Sequence, residues 1–268
     1  MKRILAILFV VLWPLAAVAD EVRPAEVSIL SGWRMENGHH MAAILVSLEP
    51  GWKTYWRAPG EAGLPPVVNW EGSENIAEIY YHWPVPEVDV DNGMTSLVFH
   101  DALVLPVEIV PVDAGAPIRV VADISLGICH DICMPMQAKL RAELPVSGVR
   151  MPRIEAALVA RPDSAAEAGL VSAHCTVEPI ADGVRVTAKL HLPALGDTEF
   201  VVMEADQRDI WISEAMSARR GDLLTATADF VPPKAAPFDL NPMSLRLTII
   251  SSGRAVDIHG CDSDRPLD

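Results

Sequence analysis

From Val22 to Leu144 the apolar residues come in short runs, many alternating with polar ones and bounded by Gly, Pro, Asn or Asp. Met41 to Leu48, Leu103 to Val110 and Ile118 to Ile124 are the clearest. A period of two predicts strands, and short strands between turn signals predict an antiparallel sandwich. The same texture returns after Leu170, in residues 183–192, 199–203, 223–230 and 245–250. It predicts a second, smaller β-sandwich that ends near Cys261. Between the two, residues 153–169 place Ile154, Ala157, Leu158 and the alanines 165, 166 and 168 among charges, with Pro162 as a break. That spacing reads as one or two short helices linking the halves. The expected fold class is all-β.

The start of the chain carries a different pattern. Lys2 and Arg3 precede an apolar run from Ile4 to Leu15, then the small-residue site Ala17-Val18-Ala19. This is the pattern of a secretory signal peptide cleaved before Asp20, and the run is too short for an ordinary membrane span. No cysteine follows the cleavage site, so no lipid anchor is expected. The expected organisation is a signal peptide over 1–19, a first sandwich over 20–150, a helical linker over 151–169, and a second sandwich over 170–268 with a loose polar tail from Asp262. The expected compartment is the periplasm of a Gram-negative bacterium.

Charge narrows the partners. The formal net charge of the 268-residue chain is −15, and loss of Lys2 and Arg3 makes it two units more negative. Such a surface repels nucleic acid and anionic membranes. Direct membrane insertion is not expected either.

Four cysteines allow three pairings. Cys129 and Cys133 lie in Leu126-Gly127-Ile128-Cys129-His130-Asp131-Ile132-Cys133-Met134-Pro135, while Cys175 and Cys261 bracket the second half. The simplest pairing joins each couple to itself, the far pair as a structural disulfide. In an oxidising compartment a close pair is either a local staple or a working redox pair. A loop this short gains little from closure entropy, which favours the redox reading. His130 and Asp131 push a thiolate in opposite directions, so sequence leaves the thiol acidity open. A third reading is a Cu(I) site, because Cys129, His130, Cys133, Met134 and Met136 are soft ligands within eight residues.

The aromatic segment Gly51-Trp52-Lys53-Thr54-Tyr55-Trp56-Arg57-Ala58-Pro59-Gly60-Glu61-Ala62-Gly63-Leu64-Pro65-Pro66 reads as an ordered loop whose rings fill one end of the sandwich. Tyr80 to Pro86 reads as a sandwich edge. His39 and His40, before a strand, read as surface or satisfied core residues. No Ser-His-Asp order, phosphate loop, four-ligand zinc spacing or dinucleotide fingerprint occurs.

Taken in order, "GWKTYWRAPGEAGLPP", "WPVP", "LVLPVEI" and "CHDICMP" resemble the periplasmic N-terminal domain of the thiol:disulfide interchange protein DsbD. The variant closest to them is that of the suppressor-of-copper-sensitivity (ScsB-like) membrane reductases. The resemblance covers roughly residues 26–145. It implies an immunoglobulin-like sandwich whose cysteine pair, Cys129 and Cys133, lies at the end of a β-hairpin. It implies protein-disulfide reductase-type thiol exchange without a cofactor, with Cys133 linked to the partner and Cys129 resolving. The electron donor would be a membrane-embedded thiol reductase or a thioredoxin-like protein, supplied by another polypeptide, and oxidised periplasmic proteins would be the acceptors. The family's aromatic cap falls on Asp89 to Ser96, which has no aromatic. Either Met94 or Phe99 takes the shielding place or the pair is less protected, and His130 is expected to tune the pair.

Overall fold

A computed structural model describes residues 24–263 apart from 62, 92 and 208. The signal peptide expected over 1–19 and the tail from residue 264 lie outside the described residues. The fold is all-β and immunoglobulin-like, with several antiparallel sheets and one short helix. Among the described residues no helix is long and apolar enough to cross a membrane.

The first sandwich contains β1 (Ala25–Arg34), β2 (His40–Leu48), β3 (Lys53–Gly60), β4 (Val67–Asn69), β5 (Glu78–Tyr81), β6 (Glu87–Asp91), β7 (Met94–His100), β8 (Ala102–Val110), β9 (Ile118–Cys129) and β10 (Cys133–Leu144). One sheet runs β1-β2-β8-β5; the other runs β10-β9-β3-β7-β6, with β4 also beside β9. Strand β9 shows why it forms. Ile118, Val120, Ala122, Ile124, Leu126 and Ile128 are buried, while Arg119, Asp123 and Ser125 are exposed. Each such aliphatic contributes about 1.5–3 kcal/mol by leaving water. The alternation breaks at Cys129, which is buried although Ile128 before it already faces the core.

Helix α1 (Pro152–Val159) starts at a proline, whose missing N–H is harmless in the first turn. It lays Ile154 on Trp33, Met41 and Ala43, on the outer face of the first sandwich. With both faces covered, β2 reads as a near-continuous apolar run rather than an alternating one. The expected linker is thus divided: its helix packs on the first sandwich, and β11 (Asp163–Ser164) pairs in parallel with a strand of the second.

The second sandwich adds β12 (Ser172–Pro179), β13 (Val184–His191), β14 (Phe200–Ala205), β15 (Trp211–Ile212), β16 (Met216–Arg220), β17 (Leu223–Val231), β18 (Leu245–Ser251), β19 (Arg254–His259) and β20 (Asp262–Ser263). Its sheets run β11-β19-β18-β14 and β15-β17-β13-β12-β20, with β16 also on β17. Asp262 and Ser263, expected in a loose tail, instead pair in parallel with β12.

The two sandwiches touch through the inner sheet of the second. Val201, Met203, Leu247, Ile249, Val256 and Ile258 face its own core. On the opposite face, Phe200, Val202, Ile250 and Ala255 pack against the core of the first sandwich. Strand alternation therefore serves two cores at once.

Candidate redox site

The segment read from sequence as a Trp-rich loop is mostly a strand. Lys53 to Gly60 form β3, at the centre of its sheet between β9 and β7. The Gly and Pro residues that pointed to a loop bracket the strand and supply its bulge. Alternation then sorts the side chains. Thr54 and Trp56 turn inward: the Thr54 hydroxyl donates to the Gly127 carbonyl at 2.9 Å, and Trp56 is fully buried in the core. Tyr55 turns to the other face and forms a small buried cluster with Val98 and Cys129.

β9 and β10 form a hairpin closed by His130-Asp131-Ile132, with Cys129 directly opposite Cys133. Their Cα atoms are 4.1 Å apart and the sulfurs are bonded. Cross-strand neighbours in an antiparallel pair come this close where the pair exchanges no backbone hydrogen bonds, so the hairpin itself delivers the sulfurs. The two cysteines differ sharply in access. Cys129 is 0 % exposed, whereas Cys133 begins the outer strand and is exposed.

The Tyr55 hydroxyl lies 2.8 Å from the Cys129 sulfur and 3.1 Å from the Cys133 sulfur. Two glycines admit its ring. A Cβ at Gly63 would meet Tyr55 Cδ1 at 2.6 Å, and one at Gly127 would meet Cδ2 at 3.1 Å. Burial raises the Tyr55 pKa above its ordinary value; the Lys53 ammonium opposes this and Asp89 adds to it. The phenol therefore stays a donor at neutral pH. Lys53 and Asp89 pair at 2.5 Å beside it.

His130 sits at the hairpin tip, with Nδ1 2.9 Å from Asp131 and its ring 5.7 Å from that of Trp52. Gly51, at φ +84°, makes room for it: a Cβ there would meet His130 Nε2 at 2.8 Å. Ile132 is 74 % exposed at the same tip and Met134 follows it, also exposed.

Two shielding expectations are corrected. Phe99 points into the main core, because it is Val98, one residue earlier, that faces the cysteines. Met94 lies exposed at the β6–β7 turn, opposite Asp91. The cover over Cys129 is Tyr55 with Val98. Of the soft residues, Met136 packs on the main core, Met134 is exposed and Cys129 lies under Tyr55, and no group of three His, Cys, Asp or Glu that could hold a metal ion occurs among the described residues. Sequence reasoning missed Tyr55 and the Lys53–Asp89 pair. The signal that could have found them is the strand parity of Lys53-Thr54-Tyr55-Trp56, which puts Lys53 and Tyr55 on one face.

In the second sandwich Cys175 is bonded to Cys261, with Cα atoms 5.6 Å apart and both residues buried.

An immunoglobulin-like sandwich carrying an accessible disulfide at a hairpin tip is a geometry suited to thiol–disulfide exchange. Residues 22–145 match the family described as thiol:disulfide interchange protein DsbD, N-terminal, and form a domain of that family. The solved structure of the N-terminal periplasmic domain of ScsB from Proteus mirabilis superposes with a TM-score of 0.61 at 20 % identity. That alignment covers 89 % of this chain and 92 % of the other, so the fold is shared across both sandwiches. Among curated proteins none matches the chain.

Proposed function

We propose that this is an exported periplasmic protein that relays electrons from a protein dithiol to oxidised periplasmic proteins through Cys129 and Cys133. Residues 1–19 direct export and are removed. Residues 20–150 carry the chemistry, 151–169 link, and 170–268 form the second sandwich. The donor is a membrane-embedded thiol reductase or a thioredoxin-like protein.

The supporting observation is the asymmetry of the pair: Cys133 is exposed and Cys129 is fully buried under Tyr55. A donor thiolate attacks the Cys133 sulfur, a donor–Cys133 disulfide forms, and Cys129 leaves as a thiolate. The donor's second thiolate then attacks its own first sulfur and releases Cys133. The protein has gained two electrons and the donor is now a disulfide. In the forward half, the Cys133 thiolate attacks an acceptor disulfide. Cys129 then attacks Cys133, restoring the internal disulfide and releasing the acceptor as a dithiol. The Tyr55 hydroxyl donates to Cys129 whenever that sulfur carries the charge, a charge-assisted bond of the stronger kind.

Trapping tests this. A Cys129→Ser protein should accumulate mixed disulfides through Cys133, since the only near resolving thiol is gone. Cys133→Ser should trap far less. Equal trapping would remove the division of roles. No trapping by either, in cells with a membrane thiol reductase, would sink the exchange function and leave an adaptor with a local staple.

A further inference from the structure

Strand β3 is held by its ladders only as far as Tyr55. Against β9 it is paired at Lys53 and Thr54 and no further. Against β7 the register runs Lys53–His100, Thr54–Phe99 and Tyr55–Val98, then jumps to Gly60–Ser96. Residues 56–59 bulge out, and a bulge is free to move unless something else fixes it.

Trp56 anchors the near end of the bulge in the core of the first sandwich, and a second anchor, on the next residue, lies in the other sandwich. Arg57 Nε donates to both carboxylate oxygens of Glu204 on β14 at 3.1 Å. Its Nη2 donates to the Thr248 hydroxyl on β18 at 3.0 Å, and Asp257 of β19 is 3.9 Å away. Asp257 is itself gripped by Arg246 at 2.8 and 2.5 Å. The guanidinium lies 3.7 Å from the Trp56 ring centroid, and the Arg57 side chain is only 10 % exposed. Burying an ion pair brings little net stability, because desolvation offsets the attraction. Such a pair does impose direction, since a guanidinium meets a carboxylate in a fixed geometry.

We infer that the Arg57–Glu204 clamp positions Tyr55 on the sulfurs, so that the second sandwich acts as a brace for the redox pair and sets its reduction potential. The clamp begins two residues beyond Tyr55, where the ladders stop. Arg57 and Glu204 touch neither sulfur and are positioning residues. If the clamp loosens, the Tyr55 hydroxyl holds the Cys129 thiolate less well and the pair becomes harder to reduce. This inference rests on the exchange reading of Cys129 and Cys133.

The test is a glutathione redox titration of the full chain. Two glutathione thiols become one glutathione disulfide as the Cys129–Cys133 bond becomes two thiols, so no partner protein is needed. Glu204→Gln should lower the equilibrium constant for reduction about tenfold, a shift of about 30 mV to more negative potential for a two-electron couple. A second variant, Arg57→Met with Glu204→Leu, replaces the ion pair by apolar groups of similar size, an exchange that commonly leaves stability equal or higher. It should show the same shift, which a loss of stability could not produce. Adding Tyr55→Phe to either variant should abolish any further shift, because the coupling runs through that hydroxyl. An unchanged potential in both variants, or a full shift that persists without the Tyr55 hydroxyl, would overturn the brace. Because the titration uses the pair alone, it stands or falls separately from the trapping of protein partners.

Discussion

The two disulfides are the same bond in opposite settings. Cys129–Cys133 spans four positions at a hairpin tip, with one sulfur's residue exposed and a phenol against both sulfurs. Cys175–Cys261 spans 86 positions, with residues 0 % and 2 % exposed in the core of the second sandwich. Loop closure accounts for about 2 kcal/mol of stability for the short span and about 4.5 kcal/mol for the long one. Access runs the other way, since a thiolate must reach a sulfur to attack it. Span length suits the second bond to a staple, and on the proposed exchange reading exposure suits the first to a reagent.

The sharpest break of that contrast removes each bond in turn. Replacing Cys175 and Cys261 together by Ser should lower unfolding stability by up to about 4.5 kcal/mol in denaturant melts and leave exchange at Cys133 intact. Replacing Cys129 and Cys133 should lower it by no more than about 2 kcal/mol and abolish exchange. Equal losses would end the distinction.

Next comes the hairpin itself, root against tip. Ile124→Ala, at a position 2 % exposed, should destabilise by about 2–5 kcal/mol through its cavity. Ile132→Ala, at 74 % exposed, should leave the melt within about 0.5 kcal/mol. Its effect should appear instead in the rate of exchange with protein partners.

Acid sharpens the difference in how the sandwiches hold their carboxylates. The second ties Asp257 to guanidinium groups, whereas the first ties Glu108 to imidazoles, His39 at 2.6 Å and His82 at 2.8 Å. Burial by itself raises the Glu108 pKa, but the hydrogen bonds from His39 and His82 outweigh it and hold the group below its ordinary value. A depressed folded value means stability that is present above the unfolded pKa of about 4.3 and is lost as pH falls through the folded value. Glu108→Gln should therefore destabilise by about 1–3 kcal/mol at pH 6 and progressively less below pH 4, read by thermal melts.

A modest effect belongs to Tyr55→Phe. Loss of one hydroxyl should change stability by about 1 kcal/mol, while slowing reduction of the pair by a glutathione thiol several-fold. A rate unchanged by this substitution would remove the phenol from the chemistry.

Much of this was legible beforehand, for reasons that can be stated. The runs 41–48, 103–110, 118–124, 223–230 and 245–250 became β2, β8, β9, β17 and β18, because short apolar or alternating runs bounded by turn residues form strands whichever faces they bury. The Trp-rich segment misled because Gly51, Pro59, Gly60 and Gly63 look like a loop by composition. Two of them admit neighbours: Gly51 makes room for His130 and Gly63 for the Tyr55 ring. Phe99 was the wrong shield by one residue, and one residue of register turns a side chain from one face to the other. Glu108 and its two histidines span 69 positions, so no local pattern could join them.

Patterning and spacing alone settle the all-β class, two sandwiches, and a close cysteine pair set apart from a distant one. Those properties are local, read over a few residues by hydrophobic period and chain reach. Only the tertiary structure decides that Cys133 is open while Cys129 is closed, that Tyr55 touches both sulfurs, and that Arg57 is held by Glu204 across 147 positions. These depend on register and on the contact of separate sheets, which bring together residues whose separation along the chain carries no signal of their meeting.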